Sequence, residues 1–230
     1  MRISGIQKLS LLDYPGYLSC TVFTQGCNFR CPYCHNPELV DPTKYREVLS
    51  LDPLWVFLNE RRGLLDCVCI TGGEPTLQED LEEFLIRTRS MGFRTKLDTN
   101  GSRPDVLHDL IGKGLLDYVA MDVKVPPCKY GKVLGFRGDP SSIEQSIALL
   151  ERSLVEHEYR TTVVPGIHND ADLEDIGRML EGSDLLFIQN FRPSKHLHPE
   201  MALLQGFQMK NLEEFQRILQ KYVKKVGIRN

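Results

Sequence analysis

Three of the seven cysteines lie within one short segment, at Cys27, Cys31 and Cys34. Three thiolates at this Cys-x₃-Cys-x₂-Cys spacing in a loop can converge on one metal centre. A cubane iron–sulfur cluster usually takes four cysteines, so three would leave one iron open to a ligand that is not protein. The spacing therefore favours a single 4Fe-4S cluster with one iron available for chemistry.

Structural zinc is the alternative, with His35 as the fourth ligand of a Cys₃His set. His35 directly follows Cys34, and adjacent residues are poorly placed to reach two corners of one tetrahedron. Structural zinc sites also tend to draw their ligand pairs from two separated turns. The cluster interpretation is therefore favoured. The other cysteines are expected to be packing or loop thiols: Cys20, Cys67, Cys69 and Cys128.

Six short apolar runs predict the strands that must position this loop. They cover residues 18–24, 67–71, 94–99, 118–123, 159–164 and 185–189. Amphipathic stretches between them predict helices, and the last and clearest stripe consists of Leu212, Phe215, Leu219, Tyr222, Val223 and Val226. Alternating strands and helices indicate an α/β fold with a parallel sheet, and six units fit a partial (β/α)₆ TIM-like barrel or a doubly wound sheet. We expect one domain over 1–230, with an N-terminal extension at 1–17, a barrel core at 18–190 and a C-terminal loop and helix at 191–230.

Polar residues follow these strands at the edge where parallel sheets bind ligands. The second strand runs into Gly72-Gly73-Glu74, where glycines let backbone approach a ligand closely. The third strand ends in Asp98-Thr99-Asn100. On the fourth, a period of two places Asp122 and Lys124 on one face and apolar neighbours on the other. These two charges either point into the barrel mouth or pair with each other.

Composition excludes some classes of partner. Lys and Arg total 28 against 31 Asp and Glu, a net charge of −3, which gives no reason to expect nucleic acid as a partner. No apolar run approaches the roughly 20 residues that span a bilayer. The first residues lack the apolar core of a signal peptide, so we expect a cytoplasmic protein with no membrane partner.

The cysteine motif, with aromatic Tyr33 before Cys34, resembles the signature of radical S-adenosylmethionine enzymes. Its neighbourhood is similar to that of glycyl-radical-enzyme activases, most closely the activating proteins of anaerobic ribonucleoside-triphosphate reductase. The segments that carry this resemblance are Leu12-Asp13-Tyr14-Pro15-Gly16 and Val22-Phe23-Thr24-Gln25-Gly26-Cys27-Asn28-Phe29-Arg30-Cys31-Pro32-Tyr33-Cys34-His35-Asn36. The sixth strand end, 189–193, departs from the pyruvate formate-lyase activase pattern, which has a His near the adenine there. This departure favours the reductase-type subgroup.

The resemblance implies a reaction. The amine and carboxylate of S-adenosylmethionine would chelate the open iron, and an electron from a donor such as flavodoxin or ferredoxin would break the sulfur–C5′ bond. The resulting 5′-deoxyadenosyl radical would take a hydrogen atom from a glycine of a partner enzyme. That partner is expected to be anaerobic ribonucleotide reductase.

The resemblance also implies which residues surround the cofactor. In the activases the Gly-Gly-Glu-Pro loop holds the methionyl amino group, and the matching Lys contacts the cofactor. The cofactor-binding residues carried over are Tyr33, His35, Asn36, Gly72, Gly73, Glu74, Asp98, Thr99, Asn100, Asp122, Lys124 and Val164. A monovalent cation beside the cofactor carboxylate is implied at Asp98, Thr99, Met121 and Asp122.

Alternatives from other classes stay open. The chain could activate another glycyl radical enzyme, of the pyruvate formate-lyase type. It could instead act on a small molecule, as the deazapurine carboxylate synthases do, or be a metal-binding scaffold without turnover. His35-Asn36 and the Asp98-Thr99-Asn100-Gly101 sequence favour an activase.

Overall fold

A computed structural model describes residues 1–195 and 197–229. Eight strands form one sheet in sequence order, in which β1 is antiparallel to β2 and each later neighbouring pair is parallel. The strands are β1 (Ile3–Ser10), β2 (Ser19–Thr24), β3 (Cys67–Gly72), β4 (Arg94–Thr99), β5 (Tyr118–Asp122), β6 (Glu156–Val163), β7 (Leu185–Asn190) and β8 (Lys225–Arg229). The predicted α/β fold with a partial barrel is confirmed.

Eight helices accompany the strands along the described chain. They are α1 (Pro37–Val40), α2 (Leu51–Glu60), α3 (Leu81–Ser90), α4 (Pro104–Gly112), α5 (Tyr130–Leu134), α6 (Ser141–Arg152), α7 (Asp170–Met179) and α8 (Met209–Leu219). Short 3₁₀ turns lie at Pro42–Lys44, Pro75–Leu77, Pro127–Lys129 and Pro199–Leu203. No helix within the described residues is both long and apolar enough to cross a membrane.

The two faces of the sheet differ in chemistry. On β5, Val119 and Met121 are buried in the main core, which also contains the apolar faces of α3, α4 and α6. The opposite face carries polar residues, among them Lys96 on β4 and Arg160 on β6, each with an ion-pair partner. The predicted fourth strand is β5, and its period-two pattern is confirmed. Its apolar side packs outward, and its charged side faces the barrel interior.

All six predicted strands are present, and β1 and β8 are additional edge strands. The prediction of one long C-terminal helix is wrong, because α8 ends at Leu219 and Val226 lies in β8. Apolar residues continue at helical spacing past Leu219 because Val223 and Val226, although outside the helix, are buried in the core. Similarly, Leu154 continues the helical spacing of Leu150, but α6 ends at Arg152 and Leu154 is fully exposed.

Candidate active site

A cavity opens where β2 to β6 end at their carboxyl edge, with about 520 Å³ of empty space that is partly open to solvent. Ligand sites of parallel α/β folds are typically placed at this edge of the sheet. Its lining residues are Cys27, Phe29, Cys31, Cys34, Val40, Thr71, Gly72, Gly73, Glu74, Asp98, Thr99, Asn100, Asp122, Lys124 and Arg160. Three strand-end motifs and the cysteine loop, all singled out in the sequence, thus meet in one place.

The cysteine loop is held so that all three thiols reach this cavity. Cys31 is buried, while Cys27 and Cys34 are half-buried. The Phe29 N–H approaches Cys27 Sγ at 3.4 Å, and the Arg30 guanidinium donates to the Cys27 carbonyl at 2.7 Å. Burial raises the pKa of Cys27 and of Cys31 to about 12. Without a metal these thiols stay protonated, and metal binding would deprotonate them.

The donor set fits an iron–sulfur cluster better than one zinc ion. Across residues 1–195 and 197–229, no three His, Cys, Asp or Glu side chains are arranged around a single metal position. A cubane does not require that arrangement, because its thiolates bind different irons. His35, the zinc alternative's fourth ligand, is exposed, its Nδ1 lies 2.9 Å from Ser194 Oγ, and it does not line the cavity.

Backbone packing clamps the start of the loop to the end of β3. The Glu74 N–H donates to the Gly26 carbonyl at 2.7 Å, and the Gly73 N–H donates to the Thr24 carbonyl at 2.9 Å. A Cβ on Gly73 would lie 2.0 Å from the Gly26 carbonyl oxygen. The neighbouring backbone therefore already requires a glycine at 73, whether or not a ligand also approaches it. The Gly72-Gly73 motif by itself predicted only the close approach of a ligand.

Glu74 joins the ends of β3 and β4. The residue is 1% exposed, and its carboxylate accepts from Thr76 Oγ1 at 2.5 Å, Thr99 Oγ1 at 2.7 Å and the Asn100 N–H at 2.7 Å. Burial raises the pKa of Glu74, and these donors oppose the rise. The Thr99 hydroxyl also accepts from the Gly101 N–H at 3.1 Å, so it makes one hydrogen bond as a donor and one as an acceptor.

Asn100 connects the same strand end to the cysteine loop. Its Nδ2 donates to Asn28 Oδ1 at 2.9 Å and lies 4.0 Å from Cys27 Sγ. Asn28 in turn donates to Ser102 Oγ at 2.8 Å, and the Ser102 N–H donates to Asn100 Oδ1 at 2.9 Å. Asn100-Gly101 therefore does more than form a turn, because the side-chain amide of Asn100 braces the loop that carries Cys27.

Five charged side chains form a network at the cavity, and four of them line it: Asp98, Asp122, Lys124 and Arg160. Arg160 lies between Asp98 and Asp122, Lys96 holds the far oxygen of Asp98 at 2.5 Å, and Lys124 lies 3.3 Å from Asp122. Burial opposes ionisation of Asp122, but Arg160 and Lys124 outweigh it and lower its pKa to about 2. The pKa of Asp98 is likewise lowered against burial by Arg160 and Lys96.

These contacts do not fit the monovalent cation expected at Asp98, Thr99, Met121 and Asp122. Both carboxylates are already held by guanidinium and ammonium groups, and the Thr99 hydroxyl donates to Glu74. Met121 is fully buried, packs against Gly101 and does not line the cavity. Arg160 and Lys96 were not predicted from the sequence. The signal was available, since each is a charged residue inside a predicted strand.

Other predicted cofactor residues lie outside the cavity lining. Tyr33 is a buried residue of the cysteine loop, and Asn36 is at the start of α1. Val164 is buried, and its N–H donates to His168 Nδ1 at 3.1 Å. His168 Nε2 lies 2.8 Å from the Lys124 carbonyl, so this histidine joins the ends of β5 and β6. The cofactor roles assigned to these residues stay predictions.

Comparison with known proteins places this geometry in a family. Residues 21–180 match the sequence profile of the Radical SAM superfamily. A candidate glycyl-radical enzyme activating enzyme of Methanocaldococcus jannaschii is 36% identical over 233 residues, 99% of this chain and 95% of that protein. The pyruvate formate-lyase-activating enzyme of Clostridium pasteurianum is 33% identical over 129 residues, 54% of this chain and 52% of that protein.

Solved structures agree on the fold. A domain of the pyruvate-formate lyase-activating enzyme of Bacteroides vulgatus superposes with a TM-score of 0.58 at 16% identity, covering 72% of this chain and 99% of that one. The match of the sequence profile spans the cysteine loop and every strand end that lines the cavity. The chain is therefore an enzyme of the radical SAM superfamily, in which a cysteine-bound iron–sulfur cluster acts on S-adenosylmethionine.

Proposed function

We propose that this enzyme activates a glycyl radical enzyme, and that its partner is anaerobic ribonucleoside-triphosphate reductase. The observation that carries the activase proposal is the similarity, over nearly the whole chain, to the Methanocaldococcus jannaschii candidate activating enzyme. The reductase is favoured by the sequence around the cysteine loop and by the sixth strand end. Activation of a pyruvate formate-lyase is the second candidate, because the Clostridium pasteurianum activating enzyme is also similar.

Cys27, Cys31 and Cys34 would hold the 4Fe-4S cluster, each binding one iron. When bound, the cluster would supply one electron to S-adenosylmethionine, whose sulfur–C5′ bond breaks to give methionine and a radical that removes hydrogen from the partner's glycine. Glu74 and the backbone of Gly72 and Gly73 are proposed to orient the methionyl amino group. All of these residues line the same cavity, which supports the assignment.

Lys124 is proposed to contact the cofactor carboxylate from the opposite side. Its ammonium group lies between Asp122 and the cysteine loop, and burial, which lowers a lysine pKa, is outweighed by Asp122 so that the pKa is raised. Lys124 therefore stays protonated inside the cavity. A protonated lysine there suits a carboxylate ligand.

The chain's remaining task is to exclude water and to present one C–H bond to the radical. The cavity opens at the carboxyl edge of the sheet, and a loop from a large partner could enter there. The electron would come from a one-electron donor of the flavodoxin or ferredoxin class.

The proposal is tested by electron paramagnetic resonance on the reconstituted, reduced protein. We expect a glycyl-radical doublet on co-incubated anaerobic ribonucleotide reductase in the presence of S-adenosylmethionine, and none without it. Pyruvate formate-lyase serves as the parallel sample. A doublet only on the lyase would transfer the assignment to the second candidate, and S-adenosylmethionine cleavage without a doublet on either would refute the activase proposal.

A further inference from the structure

A guanidinium group stands between the two carboxylates that the sequence resemblance assigns to a monovalent cation. Arg160 Nε donates to Asp122 Oδ1 at 3.0 Å, and Arg160 Nη2 lies 3.4 Å from Asp122 Oδ2. From the same side chain, Nη1 donates to Asp98 Oδ2 at 3.1 Å. One side chain thus bridges β4 and β5 with a fixed positive charge, and no added ion is needed to keep the carboxylates together.

The charge balance also opposes an added cation. Lys96, Arg160 and Lys124 supply three positive charges, while Asp98 and Asp122 supply two negative ones, and all five side chains are ion-paired. Each aspartate is therefore already paired with two cationic side chains. A sodium or potassium ion between the aspartates would lie beside these cations, whereas a ligand carboxylate would be attracted to them.

Arg160 retains donors for such a ligand. A guanidinium has five N–H bonds, and the three contacts with Asp98 and Asp122 use one each on Nε, Nη1 and Nη2. One N–H therefore remains on each terminal nitrogen, and Arg160 lines the cavity. A carboxylate approaching from the cavity would meet two donors on a side chain that its own ion pairs already hold in place.

We propose that Arg160 is a positioning residue that replaces the monovalent cation: it joins Asp98 to Asp122 and turns its remaining N–H groups toward the cofactor carboxylate. Cofactor binding by this chain is then independent of Na⁺ and K⁺. The identity of that carboxylate, as part of S-adenosylmethionine, rests on the proposed function. The bridging of the two aspartates does not, and it can be tested without a cluster.

The first experiment compares NaCl, KCl and choline chloride at equal ionic strength, because choline is too large to enter between two paired carboxylates. For the cluster-loaded protein, we expect the S-adenosylmethionine dissociation constant from equilibrium dialysis to agree within twofold across the three salts. For the cluster-free protein, we expect equal thermal midpoints and no bound thallium-205 NMR signal. A tenfold tightening by Na⁺ or K⁺, or a saturable thallium signal, would overturn the proposal.

The second experiment replaces the side chain. Arg160→Ala should weaken S-adenosylmethionine binding at least tenfold in choline chloride, and millimolar guanidinium, Na⁺ or K⁺ should restore part of it. Arg160→Lys, which keeps the charge, covers the case in which the Ala variant fails to fold, and it should lose less affinity. Arg229→Ala is the matched control, because Arg229 makes a two-pronged pair with buried Glu158 but does not line the cavity.

The outcomes separate this inference from the proposed function. Wild-type affinity of Arg160→Ala in choline chloride would refute the role of Arg160. If wild-type protein binds no S-adenosylmethionine in any salt, the proposed function fails. The thermal midpoints and thallium signal of the cluster-free protein then still decide whether a cation binds between the aspartates.

Discussion

Gly73→Ala tests how the cysteine loop is held. The new Cβ would lie 2.0 Å from the Gly26 carbonyl oxygen and 2.7 Å from the Gly26 carbonyl carbon. Real Cβ atoms essentially never approach closer than 3.0 Å, so the two backbones must separate by about 1 Å. Neither atom belongs to a side chain that could rotate away. The strain therefore falls on the segment immediately before Cys27.

The expected cost follows from what that separation breaks. Overpacking a tightly packed site costs roughly 1–3 kcal/mol. The hydrogen bond from the Glu74 N–H to the Gly26 carbonyl, 2.7 Å long, would also be lost, at about 1 kcal/mol. We expect the free energy of unfolding of the cluster-free Gly73→Ala protein to fall by about 2–4 kcal/mol, from these two contributions.

Urea unfolding followed by circular dichroism measures this loss, and the iron-to-protein ratio after anaerobic reconstitution measures the effect on the cluster. Gly5→Ala is the matched control: this glycine lies on neighbouring β1, and its Cβ would meet only the Phe23 side chain at 3.7 Å. It should cost less than about 1 kcal/mol and leave iron loading unchanged, because that contact is ordinary. Wild-type stability and full iron loading in Gly73→Ala would refute the clamp.

Three further predictions concern other parts of the site. Cys31→Ala should abolish cluster-dependent cleavage of S-adenosylmethionine. Cys67→Ala should keep cleavage, but the cavity left by the missing thiol should lower the free energy of unfolding by on the order of 1–2 kcal/mol. Product chromatography and urea unfolding check this, and cleavage by the Cys31 variant would contradict cluster ligation. Asn100→Ala should lower iron retention under a chelator, because Asn100 braces Asn28 in the cysteine loop; unchanged retention would contradict the brace. Burial lowers the pKa of His168, so the unfolded chain binds the proton more readily and the free energy of unfolding should fall as pH drops below about 6.5. Urea titrations at several pH values should show a flatter dependence of this free energy on pH in His168→Gln. An unchanged dependence would exclude His168 as the cause.

Strand positions and the residues at strand ends were predictable because both follow from local pattern. Period-two alternation on β5 correctly placed Asp122 and Lys124 in the barrel interior, since the alternative would expose Val119 and bury charge against helices. Cysteine packing was predictable for the same reason, and Cys67 and Cys69 are fully buried as expected. The edge strand β8 was not, because its apolar residues happen to continue the spacing of α8.

Partners across the sheet could not be predicted from local pattern. The bridge of Asp98 and Asp122 by Arg160 joins residues 62 and 38 positions apart, and only the register of β4, β5 and β6 brings them together. The resemblance assigned the two aspartates to a cation because their sequence context alone does not show a guanidinium between them. Similarly, His168 gave no motif, yet it joins Val164 to Lys124.

The contacts at the carboxyl edge form a continuous series from β2 to β6. Backbone bonds join the residues after β2 to those after β3, Glu74 joins β3 to β4, Arg160 joins β4, β5 and β6, and His168 closes the series. Each link uses protein atoms alone, so none of these contacts requires a cofactor to form. Binding energy then need not be used to order the site, and the cofactor meets donors already in position. The cysteine loop depends on this edge through Gly26 and Asn28. A substitution that disrupts the strand ends should therefore impair cluster binding before it affects the rest of the fold.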